Sequence, residues 1–329
     1  MSRTPVQDQT VSARNAMDVE RSWWVRLDTR SPARLDRSAQ TGRRSSPSVV
    51  HPVAEIRTEG DIELMAQAGR VAAMALRAAS AACVAGATTA AVDSAAAGVI
   101  AAERCEPAFL SMTSAVDGRR FPSATCVSVN EQVVHGVPGE RRLCDGDVVK
   151  VDCGVRYRDW CADATVTVGV GTVSEECRVM IARAKEMLAE ALKMVRPGRR
   201  WSQIAERLQC IALEGGYGLL TDLIGHGIGR QLHEWPEVPN SLSQSLLQRR
   251  DFTLLPGMTI AIEPMLALLD HTPVQRDADG YPIGIATRLA SNGWTVEAVS
   301  GLPSAHFEHT VAVTASGARL LTSLEEDHS

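Results

Sequence analysis

At 329 residues, 45% of them hydrophobic, the chain is long enough to bury a substantial core. Its net charge of −5 gives no footing for nucleic acid or an anionic membrane as the main partner of the folded body. The eight cysteines (Cys83, Cys105, Cys126, Cys144, Cys153, Cys161, Cys177, Cys210) are scattered without a CxxC pair, so they read as reduced thiols of a cytoplasmic protein.

Residues 1–52 carry nine Arg against five acidic residues, many Ser, Thr and Gln, and almost no apolar periodicity. They read as a flexible, weakly basic extension whose one oddity is the pair Trp23 and Trp24. From Asp61 the pattern turns helical, with Ile62, Met65, Ala66, Val71, Met74 and Ala75 at three- and four-residue steps as far as Gly86. Thr88 is placed to cap a second helix reaching Arg104. The most apolar stretch, 71–102, is broken by Arg77 and Asp93, which excludes a membrane span there, and no signal peptide is legible. Segment 123–137 is β-like, and Pro138-Gly139 turns the chain. Ser174 opens a third helix to Val195, with Glu175 and Glu176 at its positive end. Pro197-Gly198 breaks it, and a fourth runs from Ser202 to Glu214, stopped by Gly215-Gly216. Strand signals return at 258–263, 294–299 and 307–313. Helix, helix, strands thus occurs twice at similar spacing. The pattern predicts an α+β fold of two similar halves, one domain over residues 53–329 with a mixed sheet backed by helices.

The stretch Val148 to Val168 reads as a β-hairpin, with Asp152 on its first strand and Asp163 on its second. A carboxylate among strand residues that want burial costs several kcal/mol unless something positive neutralises it. Lys150, Arg156 and Arg158 are not placed to pair with both, so a divalent metal held by oxygen ligands is the natural partner. Four further places carry acids or imidazoles in unusual surroundings: His135 before a turn, His226 between glycines with His233 seven residues on, Glu263 in MTIAIEP and Glu308 in HFEHTVAVT. The glycines beside His226 are expected to let other groups approach its ring. Taken singly, each has an ordinary structural explanation. Together, two Asp, two Glu and a glycine-flanked His make an oxygen-rich set with one nitrogen, which suits a paired divalent site and not a cysteine-based zinc site. Two ions about 3.5–4 Å apart can bridge a water and lower its pKa towards neutrality.

The ordered series VNEQVVHGVP, VDCGVRYRDWCADAT, GHGIG, LHE, IEP and FEHT resembles the type I methionine aminopeptidases of the M24 metallopeptidase family, over residues 53–315. The resemblance implies a pita-bread fold with two pseudo-symmetric halves and a curved sheet, and two divalent ions (Co, Mn, Fe or Zn). It also implies removal of the initiator Met from nascent polypeptide N-termini when the second residue is small. Asp152, Asp163 and Glu308 would hold one ion, and Asp163, His226, Glu263 and Glu308 the other. Metal-activated hydroxide would attack the Met carbonyl, with Glu263 as proton shuttle. His233 would steady the oxyanion or the scissile amide, and His135 would contact the substrate amine or protonate the leaving group. By motif position Phe121, Cys126, Leu232 and Trp294 would form the pocket for the Met side chain.

Three departures concern the pocket rim. The loop 106–120 lacks the tyrosines of the family, Leu232 stands where an aromatic is common, and extra loop lies between Glu263 and Glu308. A prolidase-like M24 specificity is the second reading, disfavoured because such enzymes usually carry a sizeable folded domain where only about 50 polar residues stand here. A peptide-binding relative without catalysis is the third, disfavoured by the presence of all five ligands. The sequence leaves a ribosome contact of the extension open and makes a monomer the default.

Overall fold

Thr58 starts the first helix of the computed structural model, which describes residues 54–270 and 273–323. The extension with Trp23 and Trp24 lies outside those residues. Helix α1 (Glu59–Ala82) is opened by a capping box in which Thr58 Oγ1 accepts from Asp61 N and the Asp61 carboxylate accepts from Thr58 N. It stops at Ala82, short of Gly86, because the Gly86 N–H is taken by the Leu143 carbonyl at 2.7 Å. Helix α2 (Thr89–Ala102) is capped by Thr88 as its sequence predicts. Small residues on the buried faces, Ala68, Ala72, Ala75 and Ala79 with Val92 and Ala96, let the pair pack closely over Val127, Val149 and Val151. A second pair, α3 (Glu175–Met194, capped by Ser174) and α4 (Trp201–Glu214), buries Met180, Met187, Ile204 and Leu208 against Ile260, Ile262, Val311 and Val313.

Eight strands form the main sheet: β1 (Cys126–Val129), β2 (Val148–Asp152), β3 (Ala164–Gly169), β4 (Gly225–Gly227), β5 (Glu234–Val238), β6 (Thr259–Ile262), β7 (Glu308–Val313) and β8 (Ala318–Leu320). Their order is β5-β4-β6-β7-β3-β2-β1, with β8 also on β7. Where the sequence suggests a mixed sheet, every pairing here is antiparallel. Strands β1–β3 belong with α1 and α2, and β4–β7 with α3 and α4. The halves meet where β7 pairs with β3, Glu308 opposite Thr165 and His309 opposite Ala164. Strand alternation then sorts the side chains. Val149, Val151, Ala164, Val311 and Val313 belong to the helix-backed cores. Their alternates Lys150, Asp152, Thr165, Glu308 and Thr310 therefore share the opposite, inner face.

Two expectations need correction. The chain between β2 and β3 is not a plain turn, since a small hairpin (Val155–Tyr157 with Trp160–Ala162) is inserted there, turning through Arg158 and Asp159 at positive φ. Asp163 therefore sits in the one-residue gap before β3, and Asp152 faces Thr165 across the ladder. The strand expected at 294–299 is shortened to Val296–Ala298, because Trp294 lies in a turn whose Asn292 Oδ1 accepts from the N–H groups of Trp294 and Thr295. That strand joins Thr287–Leu289 to Gln132–Val134, so part of the extra loop is ordered against the segment leading to His135. Lys150 makes its contact away from the acids: its buried Nζ donates to the Asn130 carbonyl at 2.6 Å, and burial pulls its pKa down to about 7. Among the described residues no helix is long and apolar enough to cross a membrane.

Gly69 in α1 lies beneath the chain leaving β8, where a Cβ would stand 2.0 Å from the Leu321 carbonyl oxygen, while Gly98 in α2 faces open space. Gly69→Ala should destabilise the protein by about 1–3 kcal/mol through overpacking. Gly98→Ala should stabilise it by about 0.5–1 kcal/mol by restricting the unfolded chain. Urea midpoints of the two variants should shift in opposite directions.

Candidate metal centre

The inner face gathers its acids at the seam between the halves. Asp163 is fixed there through its backbone: its N–H donates to Thr310 Oγ1 at 2.8 Å, and that hydroxyl donates back to the Asp163 carbonyl at 2.8 Å. Thr165 Oγ1 donates to Glu308 Oε2 at 2.9 Å and also sits beside Asp152, where it offsets part of the rise that burial gives that acid. His226 comes in from β4. Its Nδ1 lies 2.9 Å from the Gly227 carbonyl, and its Nε2 faces Glu263 Oε1 at 3.7 Å and Glu308 Oε1 at 4.0 Å. The glycines flanking it serve the sheet and not the ring. A Cβ at Gly225 would stand 2.4 Å from the Ala261 carbonyl oxygen, and one at Gly227 would stand 2.3 Å from that of Trp235. Only glycine lets β4 fit so closely between β5 and β6.

This arrangement asks for a cation. Burial pushes the carboxyls of Asp163 and Glu308 well above the usual range; Glu308 and Asp152 raise Asp163 further, and Glu263 and Asp152 raise Glu308 further. Burial also raises Asp152, to about 7. The imidazoles move the other way: burial lowers His135 and His226 to about 4, His306 to about 3 and His233 well below its ordinary value. At neutral pH these rings are uncharged and keep a lone pair for a metal. Donor atoms of Asp163, His226 and Glu308 all lie within 4.8 Å of one another, as do those of Glu263, His306 and Glu308. Asp152 Oδ1 and Glu308 Oε1 are buried without a hydrogen-bond donor, and none of the residues lining the pocket is Lys or Arg. Divalent cations fit such a donor set.

Beside the acids the pocket is apolar. Phe109, Phe121 and Trp294 form one wall, with edge-to-face ring contacts of 6.1 Å (Phe109 to Phe121) and 5.0 Å (Phe121 to Trp294). Cys126, Met112 and Met265 bring sulfur to the same cavity. His135 and His233 line it too. His135 is held at φ +57, a left-handed backbone uncommon outside glycine, and the ring of His233 meets that of His226 edge-on at 4.3 Å.

The profile of metallopeptidase family M24 matches residues 63–315. The chain belongs to this family. A methionine aminopeptidase of Clostridium perfringens is 33% identical over 267 residues, covering 81% of this chain and 98% of its own length. The crystal structure of a methionine aminopeptidase from Thermotoga maritima superposes with a TM-score of 0.72 at 35% identity, over 83% of this chain and all of that one. A prolidase from Pyrococcus furiosus shares the fold at TM-score 0.60 and 24% identity, with 66% of its chain covered. The M24 assignment carries the pita-bread fold of two halves and a curled antiparallel sheet, the architecture the resemblance implies.

The structure brings nearly all the M24 site residues expected from sequence to one cavity: Asp152, Asp163, His226, Glu263 and Glu308 with His135, His233, Phe121, Cys126 and Trp294. Leu232 is the exception. Its side chain is buried beside Phe109 over Gly154, in the same apolar cluster as Phe121 and Trp294 but not among the residues lining the cavity, while the next residue, His233, does line it. Sequence reasoning missed His306, although its place two residues before Glu308 puts it on the same side of an extended chain. It also missed Phe109 and Met112, which the loop flagged as altered carries into the pocket on a short 3-10 turn (Ala108–Ser111) and the residue after it.

Metal uptake by this M24 centre should release protons. Asp163 and Glu308 bind their protons more tightly than ordinary carboxyls when no ion is present, whereas burial disfavours a proton on His226, so affinity should rise with pH. Calorimetry of metal binding in two buffers of different ionisation enthalpy measures the number released; zero would contradict the raised acids. Thr165→Val, which removes the hydroxyl between Asp152 and Glu308, should weaken metal binding by about 10–100-fold.

Proposed function

We propose that this M24 protein removes methionine from polypeptide N-termini, and the observation that carries the reading is the aromatic and sulfur-lined pocket opening directly onto the carboxylate and imidazole cluster. A methionine side chain is flexible and soft, and aromatic faces and sulfur neighbours suit it. Coverage supports the same reading: the chain spans 98% of the Clostridium relative and all of the Thermotoga one, against 66% of the prolidase.

In this reading Asp152, Asp163, His226, Glu263 and Glu308 hold two divalent ions, Mn, Fe, Co or Zn according to supply. When bound, the ions supply a water acidic enough to attack at neutral pH and polarise the scissile carbonyl. The chain's own groups do the rest. Phe109, Phe121 and Trp294 seat the Met side chain and exclude water. Glu263, at the cluster's edge beside His226, accepts the proton of the attacking water and passes it on. His233, neutral through burial, steadies charge developing on the substrate oxygen, and His135 faces the substrate amine or the leaving amide. A small second residue fits the narrow space beyond the scissile bond. The protein acts in the cytoplasm as a monomer on nascent chains; any ribosome contact falls to residues 1–52, which the chemistry does not need.

Release of free Met from Met-Ala-Ser, but not from Met-Lys-Ser, by metal-reconstituted protein tests the proposal. Asp163→Ala should abolish it, and His233→Ala should lower kcat by about 10²–10³-fold with little change in KM. Absence of cleavage with every metal tried would overturn the reading. Deleting residues 1–50 should leave the peptide rate unchanged.

A further inference from the structure

One buried imidazole in the cavity has no part in the reading above. His306 ends the strand Ser304–His306, which pairs with Met265–Ala267 so that His306 lies opposite Met265, two residues past Glu263. It is 2% exposed. Its Nε2 stands 3.2 Å from Glu263 Oε2, close enough for a hydrogen bond, yet that nitrogen makes none. A buried ring nitrogen left unsatisfied is destabilising. A buried ring nitrogen and a carboxylate oxygen that approach this closely without forming a hydrogen bond are placed as two ligands converging on a third body. Two donors each about 2.1 Å from one ion lie at most about 4.2 Å apart, so the observed 3.2 Å leaves room for both. Glu308 completes the group, because donor atoms of Glu263, His306 and Glu308 all fall within 4.8 Å of one another. His226 belongs to the other group, with Asp163 and Glu308.

We propose that His306 Nε2 is a ligand to a divalent cation together with Glu263 and Glu308, so that the paired centre carries two nitrogen ligands, His226 and His306. The inference deepens the aminopeptidase reading and rests on its metal pair. Its chemical consequence is selectivity. Imidazole suits Zn and Fe, carboxylate and water suit Mn, and general affinity rises from Mn through Fe to Co, so a second imidazole tilts the site away from Mn. The four acids and one imidazole read from the sequence contain one nitrogen and carry no such tilt.

The test is calorimetric titration of metal-free wild type and His306→Gln with Co(II) and with Mn(II), beside a crystal structure of the cobalt-loaded wild type. The proposal expects His306→Gln to lose about tenfold or more in Co(II) affinity while Mn(II) affinity stays within about threefold. It also expects His306 Nε2 within about 2.3 Å of cobalt. Co(II) affinity within threefold of wild type, or an Nε2 to cobalt distance beyond about 3 Å, overturns it. If His306→Gln does not fold, the wild-type crystal structure decides alone. Cleavage of Met-Ala-Ser by the same wild-type preparation is scored separately, so loss of the ligand assignment and loss of the aminopeptidase reading are told apart.

Discussion

Four carboxyl groups, from Asp152, Asp163, Glu263 and Glu308, converge at the seam between the two halves of the sheet, and their mutual repulsion is the constraint the rest of the site answers. Two unit charges about 4 Å apart repel by about 4 kcal/mol at an effective dielectric near 20. A hydrogen bond to a charged group returns about 1.5–3 kcal/mol. The Thr165 bond to Glu308 and the Thr310 bonds to the Asp163 backbone therefore fix positions, but they do not hold the acids together while ionised. Burial and this repulsion together make Asp163 and Glu308 bind protons more tightly than ordinary carboxyls, and a divalent cation would offset the same repulsion.

The seam also explains why a long-range fold is needed for a small site. Asp152 and Asp163 come from the first half, while His226, Glu263 and Glu308 come from the second, more than 60 positions along the chain. Pairing of β3 with β7 is the only direct ladder contact between the two sets of strands in the sheet path, and it places Thr165 opposite Glu308. The helix pairs pack on the far face of each half, so a buried core backs the sheet behind the acids.

The pocket is assembled with less regular structure. Phe109 comes from a short 3-10 turn, Met112 from just after it, Phe121 from the chain entering β1, and Trp294 from a turn pinned by Asn292. Ser114 Oγ donates to the Gly293 carbonyl at 3.2 Å, tying two of these loops to each other. Rim and reactive centre are thus built by different parts of the chain, and changes at the rim leave the ligands in place.

Much of this was legible in the sequence, and the rest was not, for a physical reason. Helix caps at Thr88 and Ser174, the helical periodicity after Asp61 and the acids inside β-like runs are local signals, because capping bonds, burial stripes and misplaced charges involve residues close together in the chain. Together they gave the helix-helix-strand order and singled out Asp152, Asp163, His226, Glu263 and Glu308, which the fold brings to one cavity. The inserted hairpin that moves Asp163 off the β2–β3 register, the turn that presents Trp294 and the burial of Leu232 behind the pocket aromatics depend on which distant segments touch. His306 belongs there too: in the sequence it is one more histidine near a motif, and only the approach of Glu263, just past the end of β6, brings a carboxylate to its ring. Sequence determined which groups are awkward by themselves; tertiary structure decided which of them meet, since distance across a sheet seam is not written in any one segment.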